Sequence, residues 1–559
     1  MPRQLSVGAD AGLVGKERRN GRRATNSPRA KREAMDLSGV PAGLRLSAVD
    51  AAFLYIERKE IPLHMALVSV FDGPIPFEEF VASMTSKMHL IPRYQQIVEL
   101  TPYNLGYPNW KEDPQFDIRR HIFHVTLEPP GGDAELEALA GRILTELMDR
   151  SKPLWDIYII DGLKDGRGAM IARVHHSLAD GVTGMAILNM LFDSTPEASV
   201  AAPKPRSRPS NNPPAEPSLA QAIGKVVQNT IEGVIAAEAS LASFAKALLS
   251  DASWGDLGGI LGLLPELAVS VERLPFNKQC ISDRKFCWTE FDFADVKAIR
   301  KAAGGTVNDI ILAVLTRALA RYLKRHRQSV VNRFVRIVCP VSLRRGEQNG
   351  DLGNQLSFMP VALPLDVSDP IRMVQAVAHR TETMKRSGAA DLVSLAAGCI
   401  AAAPPPVQAL FWKGISQTTL PVPLFNIICT NIPGSPVPLY AVGRRMIASY
   451  PQVPTGYELG INCAVQSYDG KLFFGLIADS RVGRDVHRLR DFIGVSFREL
   501  ARAAGVKTAP RKPRPARAAK TEKVETPEPA PAAAPEAAAE APPETPPEAP
   551  VVMSDKNAA

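Results

Sequence analysis

The sequence predicts an α/β protein built as a two-domain sandwich, with a long, partly helical crossover between its halves. Three observations carry this expectation. Strand-like and helix-like apolar patterns are mixed over residues 41–195 and again over 283–505. Between them, 196–282 is first rich in Pro, Ser and Arg, then turns into an apolar, small-residue helical pattern. Mixed elements of this kind form layers, because a sheet face and a helix stripe bury each other. The chain, at 559 residues, is long enough for two ordinary domains plus tails.

The elements follow in order. Residues 1–40 read as a disordered basic leader, with Lys and Arg recurring from Lys16 to Arg32. Ala66 to Phe71 is strand-like, and Phe77 to Leu90 is a helix with Phe80, Val81, Met84 and Met88 on its apolar side. Ile122 to Thr126 is a short strand and Asp133 to Leu147 an amphipathic helix. Leu154 to Asp161 and Ala169 to His176 alternate as adjacent strands, and Val182 to Phe192 is a helix. After the linker from Thr195 to Glu216, Ala220 to Leu264 is helical, packed between domains or against lipid. The second block opens with a strand at Phe286 to Phe293. Val307 to Leu323 is a strongly periodic helix, which Thr306 and Asp309 start as a capping box. Val335–Pro340, Leu356–Leu363, Phe425–Thr430, Leu459–Ser467 and Lys471–Ala478 are further strands, and Asp485–Ala504 is a closing helix. Residues 506–559 are a Pro, Ala, Glu and Lys tail that cannot bury enough apolar area to fold.

Composition excludes several classes. The six cysteines form no C-x-x-C pair and sit mostly in apolar runs, so buried thiols are expected, with no disulfide framework and no metal site. No signal peptide is expected. Leu392 to Trp412 and Leu420 to Val442 are uncharged, but prolines interrupt both, so neither reads as a spanning helix of about 20 residues. The net charge of +8 is concentrated in the leader and the start of the tail. No zinc finger, recognition helix or stacking motif accompanies it, so nucleic acid is not an expected partner. Peripheral attraction to an anionic membrane accounts for the same charge.

The segment richest in chemistry is His175-His176-Ser177-Leu178-Ala179-Asp180-Gly181. A hydrophobic strand runs into it and a helix runs out. The two-residue period of a strand sends His175 and His176 to opposite faces, so one of them faces a cleft. An ordinary imidazole titrates near pH ~6.5 and can take a proton from a hydroxyl. Ser177 lacks the G-x-S-x-G elbow of a serine nucleophile. Asp180 is placed to cap the following helix, and Gly181 suits a sharp turn. Asn308 and Asp309 occupy a first helical turn, where polar and acidic side chains are favoured. From the residues alone, a structural role for both histidines stays open.

HHSLADG resembles the HHxxxDG signature of the bacterial wax ester synthase/diacylglycerol acyltransferase family, part of the coenzyme-A-dependent acyltransferase superfamily. Other blocks resemble that family in the same order: LSAVDAAFLYIE from Leu46, the stretch Trp110 to His121, SKPLW ending at Trp155, Pro275-Phe276-Asn277 with Arg284, and TVNDIILA. PVSLR, GNQLSFMPVALP, Thr430 to Gly434 and SYDGKLFFGLIAD follow. The resemblance implies two chloramphenicol-acetyltransferase-like sandwich domains joined by the crossover. It implies that His176 is the general base that moves a long-chain acyl group from acyl-CoA to diacylglycerol, forming triacylglycerol. It implies that His175 supports local geometry, that Asp180 holds its loop by an ion pair, and that Gly181 keeps the channel uncrowded. Asn308 and Asp309 are implied to lie near the site at the domain junction. Acyl-CoA enters as a substrate and no cofactor is expected. A long-chain fatty alcohol is the alternative acceptor, with wax ester as product. A non-enzymatic lipid-binding or scaffold protein is the competing class. The expected setting is cytoplasmic, peripheral to a membrane or lipid droplet surface; oligomeric state is left open.

Overall fold

A computed structural model describes residues 45–179, 184, 192–197, 271–281, 283–342, 356–386, 400–401, 403–415, 417, 423 and 425–508. Asp180, Gly181, most of the expected helix at 182–192, the crossover helix at 220–264, the leader, and the tail from 509 lie outside the described residues.

The first lobe begins with α1 (Ala48–Ile56), started by Ser47, whose hydroxyl oxygen accepts from the Asp50 N–H. Then come β1 (His64–Phe71), α2 (Phe77–Lys87), the small β2 (Gln96–Glu99) and β3 (Asn109–Glu112), β4 (Ile122–Thr126), α3 (Asp133–Ile143), β5 (Trp155–Asp161) and β6 (Gly168–His175). The second lobe contains β7 (Arg284–Asp292), α4 (Phe293–Ala303), α5 (Val307–Arg325), β8 (Phe334–Ser342), β9 (Leu356–Pro364), α6 (Pro370–Arg386) and α7 (Pro405–Ile415). It continues through β10 (Ile427–Pro433), β11 (Tyr440–Ala441), β12 (Arg444–Gln452), β13 (Ile461–Tyr468), β14 (Lys471–Asp479) and α8 (Val486–Ala503).

These strands make two six-stranded mixed sheets, in the orders β11-β12-β1-β6-β5-β4 and β7-β14-β13-β10-β8-β9, while β2 and β3 pair separately. The α/β two-lobed architecture expected from the sequence is therefore the one observed. The expected strands and helices appear with ends shifted by a few residues, and Thr306 and Asp309 do form a capping box. From Asp309 to Ala320 every residue of α5 is buried. It is therefore the central helix of its lobe.

The hairpin β11–β12 lies within the 283–505 stretch, yet it adds to the first lobe's sheet. β12 runs antiparallel to β1 from Ala66↔Gln452 to Phe71↔Met446. Two glycines let the lobes approach. A Cβ on Gly475 of β14 would lie 1.8 Å from the Pro451 carbonyl oxygen, and one on Gly141 of α3 would lie 2.5 Å from the Arg284 carbonyl oxygen. Trp288 stacks on Tyr450 at 4.8 Å between ring centres, and the Tyr450 hydroxyl donates to Glu290 at 2.8 Å. At the far edge, Asp193 pairs its backbone with Tyr440 and its carboxylate with the buried Lys87 ammonium at 2.9 Å.

Candidate active site

Two of the first-lobe sequence blocks meet at the first sheet. Trp155 stacks on His121 at 4.5 Å, and its indole N–H donates to the Tyr94 carbonyl at 2.7 Å. This brings the aromatic stretch 110–121 and the SKPLW segment into one wall. β1 and β6 pair in full register, so His64 lies opposite His175. α3 covers the face carrying both. His64 donates through Nε2 to the Leu144 carbonyl at 3.2 Å, while Arg173 grips Asp156 with Nε at 2.8 Å and Nη2 at 2.6 Å. Burial, then the Arg173 charge, push His64 well below the usual imidazole range, so it stays neutral.

His175 is fully buried. Nδ1 accepts from the Ser177 N–H at 3.1 Å and lies 2.7 Å from the Ser177 hydroxyl. With Nδ1 an acceptor, the ring proton belongs on Nε2, which faces the Glu57 carboxylate at 3.2 Å. Glu57 also accepts from the Leu63 N–H and from Arg150, both at 3.0 Å. Burial alone would raise the Glu57 carboxyl; His175, the Leu63 N–H and Arg150 outweigh it and hold it at about 2. Ser177, His175 and Glu57 thus line up in the order of a hydrolase triad. Ser177, however, is only 3% exposed, and its hydroxyl is spent on its neighbour's ring, so no substrate carbonyl reaches it.

His176 sits differently. Its N–H extends the ladder to the Leu63 carbonyl at 2.9 Å, and its ring is half-buried, stacked on Phe53 at 4.1 Å with the planes 15° apart. Phe53 lies in the last turn of α1, and Glu57 is the residue that ends it, its N–H donating to the Phe53 carbonyl at 3.1 Å. α1 and its cap therefore meet both histidines, His176 through Phe53 and His175 through Glu57. Phe53 and Glu57 fall in the LSAVDAAFLYIE block but have no role assigned from the sequence, and Arg150 lies outside every quoted block. The available signal was the carboxylate directly after a nine-residue helix whose only charge is Asp50 in its first turn.

Asp309 is placed in the second lobe as a capping and tethering group. It accepts from the Thr306 N–H at 2.7 Å and hydroxyl at 2.8 Å, and from the Thr381 hydroxyl of α6 at 2.7 Å. Asn308 hydrogen-bonds the Cys339 thiol, which burial and then Cys429 keep well above its usual pKa. None of these contacts reaches the histidine pair. Asn277 is buried and ties the entry of the second lobe to the carbonyls of Asn426 at 2.8 Å and Glu458 at 3.0 Å. Among the described residues, no group of three His, Cys, Asp or Glu is placed to hold a metal ion.

The Glu57 pKa makes a stability prediction. Its carboxylate is favoured in the folded state, so its contribution is complete above pH ~4.5 and is lost as pH falls toward ~2. The lowered value corresponds to roughly 3 kcal/mol. In acid titrations of urea stability, Glu57→Gln should flatten the decline between pH ~5 and ~2. An unchanged slope would show that Glu57 titrates normally in the fold.

Two lobes of mixed sheet, with an adjacent histidine pair closing a central strand of the first, are the plan of the coenzyme-A-dependent acyltransferase superfamily. Family models match the chain as a wax ester synthase/diacylglycerol acyltransferase catalytic domain over residues 46–311 and a WS/DGAT C-terminal domain over 352–501. The chain belongs to the bacterial wax ester synthase/diacylglycerol acyltransferase family, and is thus an acyl-CoA-dependent O-acyltransferase of lipid metabolism. Two probable diacylglycerol O-acyltransferases of Mycobacterium tuberculosis H37Rv are similar to it. One is 30% identical over 473 residues, covering 82% of this chain and 98% of that protein. The other is 28% identical over 447 residues, covering 79% and 93%. The fold matches that of a wax ester synthase/diacylglycerol acyltransferase from Marinobacter aquaeolei VT8 with a TM-score of 0.58 at 23% identity, over 83% of this chain and all of that one.

Proposed function

We propose that this protein transfers a long-chain acyl group from acyl-CoA to diacylglycerol, with His176 as the general base. The observation that supports the assignment is the division of labour in the histidine pair. His175 is fully buried, its Nδ1 accepting from the Ser177 N–H and its Nε2 3.2 Å from the Glu57 carboxylate, whereas His176 is half-buried at the strand end. In the proposed step, His176 takes the proton of the acceptor hydroxyl as its oxygen attacks the thioester carbonyl. The tetrahedral intermediate collapses with cleavage of the carbon–sulfur bond, and the coenzyme A thiolate takes the proton back from His176. The stack on Phe53 holds the ring in one orientation, and a ring face over an aromatic favours the imidazolium formed in mid-reaction. His175, Glu57, Asp180 and Gly181 act as positioning residues for the turn; Asn308 and Asp309 shape the second lobe's side of the channel. The relatives named for diacylglycerol favour that acceptor over a long-chain alcohol. The test supplies labelled palmitoyl-CoA with diacylglycerol or hexadecanol in separate reactions. Triacylglycerol as the main product supports the assignment, wax ester as the main product replaces the acceptor, and no ester from either rejects it.

Peripheral lipid contact is part of the same proposal. No single helix among the described residues is long and apolar enough to cross a membrane. α7, however, exposes Val407, Leu410 and Phe411 at helical spacing, Leu410 by 74%. Its inner side is pinned, since Gln408 donates to the Ala401 carbonyl at 2.8 Å and to the Tyr107 hydroxyl. α7 packs on α1, the helix that holds the histidines. Arg45 lies over the Tyr107 ring, and residues 1–44, which precede it in the sequence, carry nine Lys or Arg against four Asp or Glu. An apolar ridge plus adjacent cationic chain is the two-signal arrangement of a peripheral membrane protein. Leu410→Asp should weaken binding to anionic, diacylglycerol-containing vesicles by about tenfold or more, since burying one such side chain is worth roughly 2 kcal/mol. Flotation with unchanged binding would exclude α7 as the contact.

A further inference from the structure

Lys87, the last residue of α2, is buried together with Phe80, Val81 and Met84, and is the charged member of that group. Its ammonium meets the Asp193 carboxylate at 2.9 Å, with the two side chains 3% and 6% exposed. A lysine at a helix C-terminus complements the helix dipole while standing in solvent, so the dipole does not explain the burial. Lysines are almost never fully buried, and taking both charges out of water offsets most of their attraction. Such a pair adds little stability over an apolar pair of similar volume, and its best-attested use is to fix a register. The backbone of Asp193 shows which register. Its N–H donates to the Tyr440 carbonyl at 3.0 Å and its carbonyl accepts from the Tyr440 N–H at 2.8 Å, an antiparallel bridge onto β11. β11 leads through β12 and β1 to β6, the strand that ends in the histidine pair. The chain is thus tied to one sheet on both sides of HHSLADG. At its start stand β6 and the His176 N–H on the Leu63 carbonyl, and beyond its end stands Asp193.

We propose that the Lys87–Asp193 pair is a register lock that positions the histidine turn for acyl transfer. The inference rests on the acyl-transfer reading above. A bridge of one residue pair is free to slip, because a one-residue shift can still satisfy the backbone while turning the side chains to the other face. Slippage here would set Phe192 or Ser194 opposite Tyr440 and leave the Lys87 ammonium in the core without its counter-charge. It would also pull Phe192 off the edge of Phe71, which it meets at 6.3 Å between ring centres. The ion pair therefore penalises every register but one, and so fixes the length of chain between the histidine turn and β11. One residue more or less in that length is about 3.3 Å of extended chain. That exceeds the ~1 Å misplacement that lowers a rate by about 10²-fold. Lys87 and Asp193 touch no reacting atom; they act through the chain, as positioning residues.

The test uses the full chain and compares Lys87→Met, Asp193→Leu and the double variant with wild type. Each single variant strands one charge in the core, so both should melt lower. The double variant replaces the pair with apolar groups of similar volume and should melt at or above the wild-type temperature. Its kcat with palmitoyl-CoA and diacylglycerol is nevertheless expected to fall about tenfold or more, with KM for palmitoyl-CoA within a few-fold of wild type. Amide hydrogen exchange reads the turn without turnover. The N–H groups of His176, Ser177 and Leu178 are held by the Leu63 carbonyl, His175 Nδ1 and the His175 carbonyl. Their exchange should quicken about tenfold or more in the double variant, while that of β5 stays unchanged. A double variant that melts well below wild type makes the pair a stability element and overturns the proposal. Unchanged kcat, a change confined to KM, or unchanged exchange at the three amides overturns it equally. If wild type forms no ester with diacylglycerol or hexadecanol, yet the three amides quicken in the double variant, the lock stands and the acyl-transfer reading falls.

Discussion

His176→Ala is expected to lower kcat for ester formation by about 10²–10⁴-fold, the range that a positioned general base supplies. KM for acyl-CoA should change little, because the lost group acts on the acceptor's proton. The fold should survive, since the side chain is half-buried and the N–H bond to Leu63 belongs to the backbone. Labelled palmitoyl-CoA, diacylglycerol and a thermal melt of both proteins measure all three quantities. Activity within a few-fold of wild type would move the base elsewhere. His175→Ala makes the informative contrast. It empties a fully buried site and strips Glu57 and Ser177 of a partner, so its main expected effect is on stability.

The second large effect is expected at the seam between the lobes. Arg284 and Asp479 pair at 3.1 Å with side chains 2% and 0% exposed. Asp479 also accepts from the N–H groups of Ile281 at 3.0 Å, Arg481 at 2.9 Å and Val482 at 3.2 Å. Arg284 reaches across to the Thr455 carbonyl, and its own N–H donates to the Thr145 hydroxyl just past α3. Asp479→Ala leaves a guanidinium and three amides without their main acceptor in a dry place. Removing one partner of such a pair costs about 3–5 kcal/mol. That is a large share of a typical stability of about 5–15 kcal/mol, so the variant should show a much lower urea midpoint and poor soluble yield. A midpoint equal to wild type would mean that water enters the seam and screens the charge. Asp479→Asn, which keeps one acceptor oxygen but loses the charge and the second oxygen, should fall between the two.

How far the sequence alone reaches can be judged element by element. α5 was readable almost to its ends because its apolar periodicity, its Thr306 cap and its Asp309 partner all agree. β5 and β6 were readable because alternation is a local property. α6, by contrast, is polar along much of its length, with a narrow stripe of Met373, Val374, Val377, Thr381 and Met384 buried. α7 carries its apolar residues outward, against the usual pattern, and so gave no core signal. The histidine pair was legible because strand parity forces one of the two inward. Glu57 was not, because its meaning depends on a partner far along the chain.

By itself the sequence determined the class of elements, their order, the polar histidine pair at a strand end, and membership of an acyltransferase family. These follow from local periodicity, caps and short motifs, which involve residues within a turn or two of one another. The tertiary structure alone decided which histidine is buried and which is left half-exposed, that α1 and its cap meet both rings, and that β12 of the later half completes the earlier sheet. It also decided that a small apolar cavity lies against the paired strands β1 and β6. The physical reason is common to all four. Burial, cross-strand pairing and the shift of a carboxyl to about 2 are products of groups distant in the chain meeting in a dry interior. No local pattern records that meeting.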